Sequence, residues 1–274
     1  MSRISWSKNS TERAESLPDI HPTACVEDGA ILAPDVCVGP FAFVGPEVEL
    51  GARVTVAAHV TLLGRTMIGA DSRIFPHACL GAEPQDRGFT GEATSLEIGL
   101  RTEIREHVTI HVGTAQGGGC TRIGDDNYIM NGAHIGHDCQ IGNETIIASF
   151  CGLAGHAKVD DYAVLGAYTG LHQYARVGES VMAAGGSKLS LDAPPFAMVA
   201  GDRARLVGLN SVGLKRRGFS PETCRQIKHA FHLIFNSKIL LEDALARVDE
   251  EIGGVPEVER LVSFLRKTER GFCR

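Results

Sequence analysis

Three histidines pose the chemical question. His137, His156 and His172 sit in six-residue units that begin at Ile135, Leu153 and Leu171, so the unit starts are 18 residues apart. An imidazole near neutral pH can take a proton as a general base or ligate a metal. Asp138 follows His137 directly and could fix its tautomer or raise its basicity, which suits a base. His134-x-x-His137 could equally open a zinc site. On the residues alone both chemistries stand.

The elements that must position these side chains are written in the same sixes. Ile123, Ile129, Ile135, Ile141, Ile147 and Leu153 begin a column that runs on to Leu189, broken only by Ala183. The same grid runs from Ile20 to Leu80 and from Ile98 to Ile110. Four places after each aliphatic residue stands a compact one, such as Ala133, Cys139, Thr145, Cys151 and Ala157. A helix would scatter positions six apart around its axis, whereas an extended chain points every sixth side chain the same way. Glycine often follows the aliphatic residue, as at Gly136, Gly142 and Gly166, so each six reads as a short strand with a corner. Stacked sixes make a β-solenoid with an inner aliphatic column. The grid lapses at residues 82–96 and again around Gly117-Gly118-Gly119, where inserted loops are expected.

Composition agrees. In 274 residues there are 32 glycines and only 6% aromatics, as a turn-rich repeat of small units requires. A net charge of −6 argues against a general nucleic-acid binder. No run approaches the ~20 apolar residues of a membrane span, and the polar opening residues show no secretory signal. The expected location is therefore the cytoplasm, with the eight cysteines reduced and serving as compact packing residues.

Past Leu189 the pattern changes. Ser220-Pro221 is a helix start, followed by the stripe Cys224, Ile227, Phe231, Ile234 and Phe235. Further helices are expected over Leu241–Ile252 and after Pro256. The expected organisation is a polar leader over 1–18, a β-helix over 19–204 and a helical domain over 205–274. Between Asp202 and His229 seven basic residues face two acidic ones, which suits an acidic protein or a phosphate.

The [LIV]-G-x-x-[small]-x repeat resembles that of the left-handed parallel β-helix acyltransferases, which imply three sixes per coil and a homotrimer. The segments IHVGTAQGGG, NGAHIGHDC, LAGHAKVDDYA, LHQY and GLNSVGLKRRGFS, in this order, resemble the UDP-N-acetylglucosamine O-acyltransferase family of lipid A synthesis over residues 20–274. The resemblance implies a mainly β fold with a small C-terminal helical domain. It implies transfer of an (R)-3-hydroxyacyl group from acyl carrier protein to the 3-hydroxyl of UDP-N-acetylglucosamine, without cofactor, metal, nucleic acid or stable membrane insertion. It assigns His137 as general base, Asp138 as its support and the Gly155 N–H as oxyanion donor. His111, His134, His156, His172 and Gln173 would hold the sugar and acyl parts. Gln85 and Asp86 would reach substrate from the first loop, Asp86 across a subunit boundary. Asn210, Arg216 and Arg217 would meet the nucleotide, and Gly185 would leave the acyl groove open to a long chain. The chain departs from the family pattern at Gly88, Val112 and Val212, which leaves open whether the acceptor carries a hydroxyl or an amine. The N-acyltransferase of the next acylation and a zinc carbonic anhydrase share the β-helix and are the alternatives.

Overall fold

The computed structural model describes residues 17–237 and 239–274, so the expected leader lies almost entirely outside the described residues. Two-residue strands such as Cys37–Val38, Phe43–Val44 and His134–Ile135 dominate the chain. They stack into three parallel sheets, called A, B and C in the order the chain meets them within a coil. The register advances by 18 residues per coil, as from Asp19 to Cys37. It advances by 30 from Arg73 to Glu103 and by 25 from Glu103 to Tyr128. The excess is two loops, 83–94 and 112–119, and both leave the prism at the corner between sheets B and C.

The aliphatic grid is the inner column. Val38, Val56, Ile74, Ile104, Ile129, Ile147 and Leu165 are buried in sheet A, with matching columns in the other two sheets. Ile20, on the first coil among the described residues, is 41% exposed. The compact residues turn the corners, and the residue just before them takes a left-handed backbone: φ is +59° at His59, +60° at Asp138 and +63° at His156. Such turns are strained for residues with side chains and persist because every coil repeats them against its neighbours. Cys25 and Cys37 are exposed, against the expectation of packing, since a residue adjacent to an inward aliphatic on a strand must point outward.

Arg205–Leu209 is a strand, antiparallel to Ala197–Ala200, and the first helix begins at Ser211. They are α1 (Ser211–Arg216), α2 (Pro221–Phe231), α3 (Leu241–Ile252) and α4 (Pro256–Arg266), with a π turn at His232–Asn236 after α2. Ser220 caps α2 by accepting from Thr223 N. The expected stripes Ala244, Leu245, Val248 and Val258, Leu261, Val262, Leu265 are buried. No helix among the described residues is long and apolar enough to cross a membrane.

Candidate active site

The corner between sheets B and C carries the chemistry. On successive coils it reads Gly136-His137-Asp138, Ala154-Gly155-His156 and His172-Gln173-Tyr174, so the three histidines share one ridge. Asp138 is buried, and its Oδ2 accepts from His137 Nδ1 at 2.8 Å and from Thr114 Oγ1 at 2.7 Å. Oδ1 accepts from Thr114 N at 2.9 Å. The carboxylate thus holds the proton on Nδ1 and leaves His137 Nε2 as the basic atom.

Nε2 faces Gly155. A Cβ at Gly155 would stand 2.5 Å from Nε2 and from Cε1 of His137. Ala154 N donates to Leu171 O and His156 N to His137 O, while the corner geometry leaves the N–H of the middle residue, Gly155, outside the ladder. His137 and Gly155 together line a groove of about 340 Å³, whose lining also includes Gln85, His111, His134, Gly152, Leu171 and Gln173.

The neighbouring imidazoles are tuned toward neutrality. Burial, and then the nearby His111 and His137, hold His134 below the usual histidine range, and its Nδ1 pairs with Thr109 Oγ1 at 2.8 Å. Burial also lowers His156, against the pull of Asp138, with His137 adding to the lowering and Asp86 opposing it. His156 crosses His137 edge-on at 5.0 Å and stacks on Tyr174 at 4.4 Å. His111 Nδ1 is tied to the carbonyl of Glu83 and so anchors the first loop. Asp86 accepts from Gly88 N at 2.9 Å, and its charge acts on His156 of the same chain.

Other expected residues lie elsewhere. His172 is exposed and outside the groove lining, its Nδ1 donating to Gln173 O at 3.1 Å. Asn210 caps α1, accepting from Gly213 N and donating to Ser180 O at 2.9 Å. The Arg217 guanidinium pairs with Glu179 at 2.8 Å and lies 3.4 Å from the Tyr162 ring centroid. Both residues are thus engaged inside the chain, while Arg216 is exposed. The basic patch is thinned in the same way, since Arg225 pairs with Glu222. Gly185 is on the corner between sheets A and B, and a Cβ there meets only backbone of Ala167, at 3.2 Å and beyond.

His137, Asp138 and His156 are the one group among the described residues whose ligand atoms come within 4.8 Å of one another. The Asp138 oxygens already accept three hydrogen bonds, and His137 Nδ1 is turned onto the carboxylate. That is the arrangement of a proton-transfer dyad and leaves little of the carboxylate for an ion. Thr114 and Thr121, which accepts from Asp138 N at 2.8 Å, were not foreseen from the repeat. Thr114 stands in the loop where the grid lapses, so no periodicity marks it.

Comparison with known proteins agrees with this geometry. Residues 120–155 match the model of the bacterial transferase hexapeptide repeat, and residues 192–273 match domain 2 of UDP N-acetylglucosamine O-acyltransferase. The chain is 47% identical over 255 residues to the acyl-[acyl-carrier-protein]–UDP-N-acetylglucosamine O-acyltransferase of an Anaeromyxobacter species, covering 93% of this chain and 99% of that one. It is 45% identical over 262 residues to the enzyme of the same name from Verminephrobacter eiseniae, covering 94% of this chain and all of that one. Its backbone matches the UDP-N-acetylglucosamine acyltransferase of Francisella novicida with a TM-score of 0.91 at 36% identity, covering 93% and 94% of the two chains. The match to the Arabidopsis enzyme has a TM-score of 0.83 at 32% identity, covering 93% of this chain and all of that one. With its solenoid, its helical tail and its sequence matched over almost their whole length, the chain belongs to the left-handed β-helix family of acyl-[acyl-carrier-protein]–UDP-N-acetylglucosamine O-acyltransferases.

Proposed function

We propose that the groove transfers an (R)-3-hydroxyacyl group from acyl carrier protein to the 3-hydroxyl of UDP-N-acetylglucosamine, the first step of lipid A synthesis. The observation that carries this reading is the His137–Asp138 dyad, whose Nε2 packs against the Cα of Gly155. His137 Nε2 removes the hydroxyl proton as the sugar oxygen attacks the thioester carbonyl. The new C–O bond forms, the carbonyl becomes an oxyanion, and Gly155 N–H donates to it. When the oxyanion collapses, the C–S bond breaks and the imidazolium returns its proton to the departing thiolate. Asp138 stabilises the imidazolium between the two steps.

Support for the acyl path comes from the outer face of sheet B. Gly152 and Gly170 pair side by side, and a Cβ on either would meet nothing within 4 Å. They form a bare strip beside His134. The strip leads toward Gly185, whose coil lies three coils from that of His134, or about 14 Å at the usual strand spacing. A long acyl chain is the reading this distance supports. His134, His156, His172, Gln85, Asp86 and Gln173 would position sugar and acyl groups, and Asn210, Arg216 and Arg217 would serve the nucleotide only where their internal partners allow.

The location proposed is the cytoplasm, and the assembly proposed is a homotrimer. On the corner between sheets A and B, Phe150 and Tyr168 stack and are each at least half exposed, as is Phe41 farther along the same corner, and another copy would cover these rings. The test of function is product mass spectrometry with UDP-N-acetylglucosamine and a mixture of acyl carrier proteins. A singly acylated UDP-sugar is expected from the native protein and none from His137→Ala. Equal product from both would remove the proposed base.

A further inference from the structure

Residues 112–119 interrupt the repeat, and what they close over is the Asp138 carboxylate. Thr114 grips it twice, through its backbone N–H on Oδ1 and its hydroxyl on Oδ2. Gly117 N donates to the same hydroxyl oxygen at 3.1 Å, which aims the hydroxyl proton at the carboxylate. A Cβ on Gly117 would fall on the carboxylate itself, so the loop is packed onto it without clearance. This grip has a choice to settle. Oδ2 lies 2.8 Å from His137 Nδ1 and 3.8 Å from His156 Nδ1. A carboxylate free to rotate could serve either imidazole.

We propose that Thr114 is a positioning residue, which assigns the Asp138 carboxylate to His137 and withholds it from His156. The proposal rests on His137 being the base. The charged and titratable groups around His137 are Asp138, His156 on the next coil and His134 on the strand just before it, with Asp86 acting on His156 from the other loop. Thr114→Val keeps the side-chain shape and the backbone N–H but removes the hydroxyl. The carboxylate keeps its charge but loses the contact that fixes Oδ2, so its hold on His137 weakens. It is also free to turn toward His156.

The experiment compares the native protein, Thr114→Val and Thr114→Ser over about pH 5 to 8, the range in which histidine titrates. Steady-state turnover is measured alongside carbethoxylation of His137 and His156, read by peptide mass spectrometry. For Thr114→Val, kcat is expected to fall about tenfold, a fraction of what general-base catalysis supplies, with KM for the UDP-sugar within about twofold. As His137 loses its carboxylate, the acid limb of kcat/KM and the midpoint of His137 modification are expected to move together to lower pH, and the midpoint of His156 modification to higher pH. Thr114→Ser should restore all of these. Native kcat and an unmoved limb in Thr114→Val, or a serine variant no better than valine, would overturn the proposal. Thr114→Ala carries the same test if the valine variant does not fold. The modification midpoint needs no turnover, so a protein without transferase activity would refute the proposed function while still reporting on the grip of Thr114.

Discussion

Gly155→Ala tests the active-site geometry with a single methyl group. A Cβ at this position would stand 2.5 Å from His137 Nε2 and Cε1, whereas unstrained heavy-atom contacts lie at roughly 3.5–4.0 Å. The imidazole must therefore retreat by about 1 Å. Its Nδ1–Oδ2 bond starts at 2.8 Å, and a shift of that size strains it or takes Nε2 away from the hydroxyl it must deprotonate. A displacement of about 1 Å in a reacting group can cost about 100-fold in rate, or roughly 2.7 kcal/mol of activation free energy. The backbone itself is not strained, because Gly155 is not left-handed. Stability should then change by no more than about 1 kcal/mol. The expected result is a kcat near one hundredth of native with a nearly native Tm, measured by product formation and by thermal unfolding. A variant within threefold of native turnover at the same Tm would show that His137 does not work against Gly155, and the oxyanion assignment would go with it.

Gly185→Met should shift preference toward shorter acyl donors in a competition assay, since a side chain there meets only Ala167 backbone before entering open space; an unchanged product distribution would end the chain-length reading. Asp192 is buried, accepts from Arg176 N at 2.9 Å and from Thr268 Oγ1 at 2.8 Å, and accepts at its carbonyl from Cys273 N. Asp192→Ala should cost about 3 kcal/mol, the loss of hydrogen bonds to a charged group, and should open Lys267 and Arg270 to trypsin; an equally resistant tail would show that the latch does not hold it. Stability should fall as pH drops below 6.5. His134 and His156 are both held lower than 6.5 in the fold, so the unfolded chain binds protons first and the loss continues down to the folded values. His134→Gln should flatten that slope in denaturant titrations at two pH values, and a slope identical to the native one would rule His134 out as a source.

The solenoid was legible because its rule is local and repeated. An even period of six with a compact residue at each corner admits an extended coil and disfavours a helix, and the burial of the column from Val38 to Leu189 follows from it. The ridge of His137, His156 and His172 followed from the 18-residue coil. What the pattern could not carry was the direction of individual side chains. His172 falls on the right corner yet turns to solvent, and Cys37 falls in the grid yet faces outward. The helix start at Ser220 was legible from its cap, whereas α1 was not, being six residues long and capped by Asn210. Arg217 was read as free for a phosphate because no rule of spacing predicts an acid 38 residues upstream, and Glu179 takes it.

The two lapses in the grid were the least informative stretches of the sequence, and they hold the site together. A triangular prism has three equivalent corners, and this chain uses each differently. At the corner between sheets C and A, left-handed turns alternate in charge, and Arg53 and Arg101 each bind a carboxylate on the next coil with two nitrogens, at 2.6 Å to Asp71 and at 2.7 and 2.5 Å to Asp126. At the corner between sheets A and B, the turns carry a stacked ladder, Phe41–His59–His77–His107, with rings about 5 Å apart as the strand spacing dictates. Both of these corners make their turn-to-turn contacts from the repeat itself. The corner between sheets B and C could not be, because a buried carboxylate at Asp138 needs donors that neighbouring coils do not supply. The inserted loop 112–119 brings Thr114, and loop 83–94 brings Gln85 and the tie to His111. Insertions at a repeat's catalytic corner are thus required by the charge they cover: deleting seven residues, 113–119, to restore an 18-residue coil should yield a regular solenoid with an uncompensated Asp138, stable only where that carboxyl is protonated.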